Sequence, residues 1–174
     1  VKEKDMGEAA RTMDRGSLLA QEGKYLTFVL AGEDYGLEIL KVREIIGMLD
    51  ITAIPQAPPY IKGVTNLRGR VIPVIDLRLK FGLPPMDYGE RTCIIVVDVR
   101  NESGVMQMGI VVDAVSEVLQ VAADDLEPPP AFGNTIQGSY ILGIAKTKGG
   151  IKVLLDIHRI LSAAELLKLE AAGI

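Results

Sequence analysis

The chain has 174 residues, a formal net charge of −4, 48% apolar residues and 5% aromatic ones, with no tryptophan. That length allows one domain, or two very small ones, with a real core. The mild acidity argues against the clustered cations of a nucleic-acid or anionic-lipid footprint, and a lone cysteine, Cys93, excludes an internal disulfide and any four-cysteine zinc site.

Residues 1–23 are charged and punctuated by Gly7, Gly16 and Gly23. They predict a flexible tail with at most a helical turn near 17–21. With few aromatics, packing rests on Val, Ile and Leu, which suit strands. Residues 25–31 form the first such run, followed by a turn at Gly32-Glu33-Asp34 and a second apolar segment, the pattern of a hairpin. Residues 37–49 carry apolar side chains at 39, 42, 46 and 49, which is one helical face. Val42, Ile45 and Ile46 are β-branched, so a single helical turn feeding a strand fits equally. Pro55, Pro58 and Pro59 mark a loop. Residues 61–82 read as a hairpin with its polar turn at Asn66-Leu67-Arg68-Gly69-Arg70 and its second strand ending in Asp76.

The second half repeats the first. Residues 92–99 form a strand, with a turn at 100–104. Met108-Gly109-Ile110 matches Tyr35-Gly36-Leu37 and Val115-Ser116-Glu117-Val118-Leu119 matches Val42-Arg43-Glu44-Ile45-Ile46, both at an offset of 73 residues. After Pro128-Pro129-Pro130 the offset becomes 80: Gly143 matches Gly63, Gly149 matches Gly69, and Leu154-Leu155-Asp156-Ile157 matches Val74-Ile75-Asp76-Leu77. Such a duplication of short strands and turns predicts a mainly β protein of two related small barrels, since closure removes exposed edges. Beyond it, Ser162 is a good N-cap for a helix over 163–172. Glu165 completes a capping box, Leu166, Leu167 and Leu169 form an apolar side, and Gly173 ends it.

Catalytic signals are weak. His158 is the only histidine and lies at a strand-to-helix junction, where a structural role is the usual one. Cys93 starts an apolar strand with no histidine near in sequence, as a buried inert thiol does. Asp76 and Asp156 are equivalent, but each ends a strand and is placed to cap the next turn. Lys146-Thr147 follows Ala145, which breaks any phosphate loop. The polar tip of Asn66, Arg68 and Arg70 is more open to function. It is either a solvated turn or a recognition tip with an arginine fork for a carboxylate.

Residues 35–45 (YGLEILKVREI), the hairpin 61–82 with its GVTNLRG and PVIDLR runs, and 109–115 (GIVVDAV) closely resemble CheW, the bacterial chemotaxis coupling family. The match covers about residues 25–161. The resemblance implies two intertwined five-stranded SH3-like β-barrels with short helices and a C-terminal helix. The expected boundaries are a tail over 1–23, a CheW-like domain over 24–162 (copies about 25–90 and 91–161, with strand exchange between them left open) and the helix over 162–174.

The resemblance also implies a non-enzymatic adaptor without cofactor or metal. It would be a monomer in isolation, without nucleic acid or membrane insertion, cytoplasmic, and recruited beneath membrane receptor arrays. Its partners would be the cytoplasmic tips of methyl-accepting receptors and the regulatory domain of the histidine kinase CheA. Carried over residue by residue, Val42, Glu44, Gly63, Asn66, Arg68 and Val118 form the receptor site, with Val42 against a receptor helix and Arg68 paired with Glu44. Phe132 and Glu127 belong to the kinase or ring contact; Glu127 stands where some relatives carry a basic residue. The absence of a receiver or kinase segment predicts a stand-alone chain. Two other readings remain at this stage: an adaptor of a non-flagellar chemosensory pathway, and an enzyme with a small-molecule site in a barrel cleft.

Overall fold

The valine and isoleucine runs become strands, and three of the described hairpins close with two residues each. The computed structural model describes residues 20–101, 104–129 and 140–160. β1 (Gly23–Leu30) and β2 (Glu33–Glu38) meet at Ala31-Gly32, both at positive φ. That is the geometry whose twist matches a hairpin, and it places the turn one residue earlier than the Gly-Glu-Asp signal suggests. The open question over 37–49 resolves to a single 3₁₀ turn, Ile39–Lys41, feeding β3 (Val42–Gly47). Its branched side chains pair with β6 (Cys93–Asn101), Ile45 opposite Ile95, which a helix could not offer.

The hairpin at 61–82 is β4 (Ile61–Leu67) and β5 (Arg70–Asp76), followed by α1 (Leu77–Lys80), one turn whose N-cap is Asp76. Then come β6, β7 (Gly104–Val112), β8 (Ala114–Val121), a 3₁₀ turn at Ala123–Asp125, and β9 (Leu126–Glu127). β10 (Ile141–Thr147), β11 (Gly150–Leu155) and the single-turn α2 (Ile157–Ile160) close the described chain. Residues 1–19 of the expected tail over 1–23, Phe132 and the helix over 162–174 lie outside the described residues, and Gly23 already opens β1.

The fold is mainly β in two sheets. One runs β8-β1-β2-β11-β10-β9 and the other β3-β6-β7-β5-β4. The first has six strands because the two-residue β9 adds to β10. Each sheet draws strands from both halves of the sequence. β2 pairs parallel with β11, Gly36 beside Leu154, and β7 pairs parallel with β5, Gly109 beside Val74. These pairings are each other's image under the duplication. The two glycines are needed there: a Cβ at Gly36 would lie 2.8 Å from Leu154 Cδ2, and one at Gly109 would lie 2.8 Å from Ile94 Cγ2.

The main core lies between the sheets and takes residues from both, including Leu26, Phe28 and Leu155 on one side and Ile75, Ile95 and Ile110 on the other. Smaller clusters sit within each curled sheet, around Tyr25 and Leu154 in one and around Val74 and Ile94 in the other. Shared burial of this kind resists separation of the halves, since parting them would expose both faces to water.

Candidate functional site

The hairpin β4–β5 turns on Arg68-Gly69, at φ 52° and 84°. Arginine tolerates that conformation poorly, and the turn is held by its neighbour: the Asn66 Oδ1 accepts the Gly69 N–H at 2.7 Å. The side-chain oxygen of Asn66 thus closes the turn. The turn aims Arg68 at β3, where its Nη1 and Nη2 donate to Glu44 Oε1 and Oε2 at 2.7 and 2.8 Å. This is the planar fork that guanidinium and carboxylate form best. β3 and β4 are the opposite edges of one sheet, so the fork bridges them and shows that the sheet is curled. Hydrogen bonds from Arg68 hold Glu44 below the usual carboxylate range, and the same bonds raise Arg68. The pair stays ionised at neutral pH. Its exposure leaves it little weight in stability; it orients both side chains.

Gly63 lies behind this face. A Cβ there would fall 1.9 Å from the carbonyl oxygen of Thr52. The missing side chain lets residues 52 and 64 form a paired bridge, Thr52 N–H to Val64 O at 2.8 Å and Val64 N–H to Thr52 O at 2.9 Å. Thr65 Oγ1 adds a bond to the Asp50 carbonyl at 2.7 Å. The connection between β3 and β4 is thereby pinned to β4, the strand that leads into the Arg68-Gly69 turn.

Burial along β3 alternates. Val42 is half-buried and packs on the main core, while Ile45 is 45% exposed and Leu40, in the preceding turn, is 91% exposed. These two exposed apolar residues flank Glu44 in sequence, and residue-level reading missed both. β3 is an edge strand with a bulge between Val42 and Glu44, and Ile45, although it pairs with Ile95, stays partly uncovered there. Val71, just past the turn, is 63% exposed and was missed as well, as one member of an apolar run. Val118 lies on β8, in the other sheet, half-exposed and paired with Leu26. Glu127 receives Lys146 Nζ at 2.9 Å, an exposed pair. The structure thus groups Val42, Glu44, Gly63, Asn66 and Arg68 on one sheet and places Val118 and Glu127 on the other.

The remaining chemical candidates have structural partners. Asp76 Oδ1 accepts the Leu79 N–H and its Oδ2 accepts the Tyr88 hydroxyl at 2.8 Å. Burial, then that bond, push the Tyr88 phenol well above its ordinary value. Asp156 accepts the His158 N–H at 2.9 Å. Burial pushes the Cys93 thiol up, as expected of an unreactive group. Among the described residues no three His, Cys, Asp or Glu gather as metal ligands, and no helix is long and apolar enough to cross a membrane.

A rigid β body presenting an ion-paired turn beside exposed apolar side chains defines a protein-binding module. The CheW-like domain model matches residues 24–165, and the chain belongs to that family. It is 42% identical to the chemotaxis protein CheW of Klebsiella aerogenes over 151 residues, 87% of each chain. It is 32% identical to that of Treponema pallidum over 153 residues, covering 86% of this chain and 88% of the relative. Among solved structures it resembles the scaffolding protein TtCheW of Thermoanaerobacter tengcongensis, with TM-score 0.72 and 35% identity over 83% of this chain and 96% of that one. The family and its scaffolding member make this a non-enzymatic chemotaxis adaptor.

Proposed function

We propose that this protein couples the cytoplasmic tips of methyl-accepting chemoreceptors to the histidine kinase CheA. It does so as a cytoplasmic monomer gathered beneath receptor arrays. The observation that carries the proposal is the Glu44–Arg68 fork, on a segment that also exposes Leu40 and Ile45. Exposed apolar side chains near a fixed polar pair suit the side of an amphipathic helical hairpin, the helix-in-groove mode. Ile45 and Leu40 supply the apolar contact, Val42 anchors their segment to the main core, Asn66 closes the turn, and Gly63 lets the β3–β4 connection pair with β4. Val118 is the equivalent of Ile45 in the second copy and a further receptor contact. Glu127 and Phe132 belong to the kinase or ring contact. Each contact is weak alone, and arrays gain strength by linking many of them through effective concentration.

The test is reconstitution. Kinase and receptor vesicles are mixed with and without this protein, and receptor-controlled phosphorylation is measured. Control restored only on addition is expected; no restoration with partners from the same cell sinks the proposal. Ile45→Glu should weaken capture of receptor tips more than capture of kinase, and the charge reversal Glu127→Lys should do the opposite. Equal losses from both would show that neither face is partner-specific.

A further inference from the structure

The described chain passes between the two sheets twice: through Ile39–Lys41, where β2 leads into β3, and through Asp113, where β7 leads into β8. The two crossings are equivalent under the duplication, Asp113 standing 73 residues after Leu40. They are built differently. At the second crossing, Asp113 Oδ2 accepts Arg78 Nη1 at 2.6 Å and the Ala31 N–H at 2.8 Å, while the Asp113 N–H donates to Val29 O at 3.1 Å. Arg78 also donates through Nε to Pro84 O at 3.0 Å. Both side chains are largely buried, at 12% and 15% exposure. Arg78 belongs to α1, at the end of β5 in the five-stranded sheet. Ala31 and Val29 belong to the β1–β2 hairpin of the six-stranded sheet. One carboxylate thus fastens an element of each sheet at the point where the chain crosses.

At the first crossing the corresponding residues cannot do this. Leu40 takes the place of Asp113 and His158 that of Arg78. A leucine accepts no hydrogen bond, and Leu40 points into solvent. The duplication would supply two fasteners or none; among the described residues there is one. A largely buried ion pair adds little net stability over apolar packing, so its worth lies in fixing geometry.

We propose that Arg78 and Asp113 are positioning residues that set the angle between the two sheets. Through it they set the relative placement of the receptor and kinase faces. The second clause rests on the coupling role proposed above; the first does not.

The test uses Arg78→Met with Asp113→Asn, which removes the pair without stranding a buried charge. In full-length protein carrying Cys93→Ala, spin labels at exposed positions 105 and 151 report the distance between the sheets. The unaltered pair should give one narrow distribution, the double variant a broadened or displaced one, and Arg78→Lys a distribution closer to the original. In reconstituted mixtures the double variant should capture receptor tips and kinase singly as well as before, yet stimulate the kinase about fivefold less or worse, a typical coupling loss. A folded double variant with the original distance distribution overturns the proposal, whatever the coupling assay shows. So does a double variant that fails to fold, because the pair would then serve core stability. A changed distribution with full kinase stimulation overturns the functional clause. Failure of the unaltered protein to stimulate kinase defeats the coupling role instead, and the spin-label distances still decide what the pair does.

Discussion

Gly63→Ala tests whether this glycine acts through packing. The added Cβ would lie 1.9 Å from Thr52 O and 2.6 Å from Thr52 C. Both are main-chain atoms, so no side chain can swing aside. Residues 52 and 53 must retreat, and the paired Thr52–Val64 bonds, at 2.8 and 2.9 Å, must lengthen or break. Two such bonds are worth about 1 kcal/mol each. The backbone at Gly63 has φ +142°, a region nearly closed to other residues, which adds about 1–3 kcal/mol. The expected loss is about 3–5 kcal/mol, a fall in Tm of roughly 6–20 °C for a chain of this size. Urea unfolding gives the energy, and amide exchange at Thr52 and Val64 locates it. Receptor capture should fall as well, because the pinned connection joins β3, which carries Glu44, to β4, which leads to Arg68. A variant that melts within about 2 °C of the original, less than 1 kcal/mol, with both amides still protected, would refute the packing argument. Gly63 would then matter only as contact surface.

Arg68→Lys keeps the charge but loses the fork to Glu44. Receptor capture should drop roughly tenfold, the size of one lost charged hydrogen bond, with kinase capture unchanged; the reverse order of losses would remove the fork from the receptor face. The fork also sets a pH dependence. A carboxylate whose pKa is depressed on folding keeps its contribution above the unfolded value and loses it as pH falls through the folded one. Glu44 is such a group. Receptor capture measured by surface binding should therefore be flat from pH 8 to about 5 and weaken only below the ordinary carboxylate value of about 4.3. A loss centred at about pH 6.5, the ordinary histidine value, would assign control to another group. Cys93 should alkylate at least about tenfold more slowly in the folded than in the urea-denatured protein at pH 8, because burial raises its thiol. The same raised pKa makes stability fall as pH climbs above the unfolded thiol value of about 8.5. Equal alkylation rates would mean that the thiol is open to solvent.

Local chemistry made much of this molecule readable from its residues. Strands follow the branched apolar runs, since side chains on alternate faces need only their own neighbours to declare them. The hairpin at 61–82 announced itself by its polar turn, and Asp76 and Asp156 by standing where a cap is needed. The repeat at offsets of 73 and 80 residues implied two related units. Family resemblance then brought Glu44 and Arg68 together before any distance was known, and the fork bears that pairing out.

Pairings across long stretches of chain left no such trace. Leu154 lies beside Gly36, and Asp113 joins Arg78 to the Ala31 turn, because burial chose which apolar faces should meet and carried polar residues along with them. Residues 37–49 show the division most clearly. Their pattern admits a helix or a strand, and pairing with β6 decides it. In the paired strand Val42 packs on the core while Ile45, on the same edge strand, stays 45% exposed. The residue sequence by itself thus determined the strands, the turns and the duplication, which depend on near neighbours. Only the tertiary structure decided which apolar side chains remain at the surface for a partner, because exposure belongs to the packed whole.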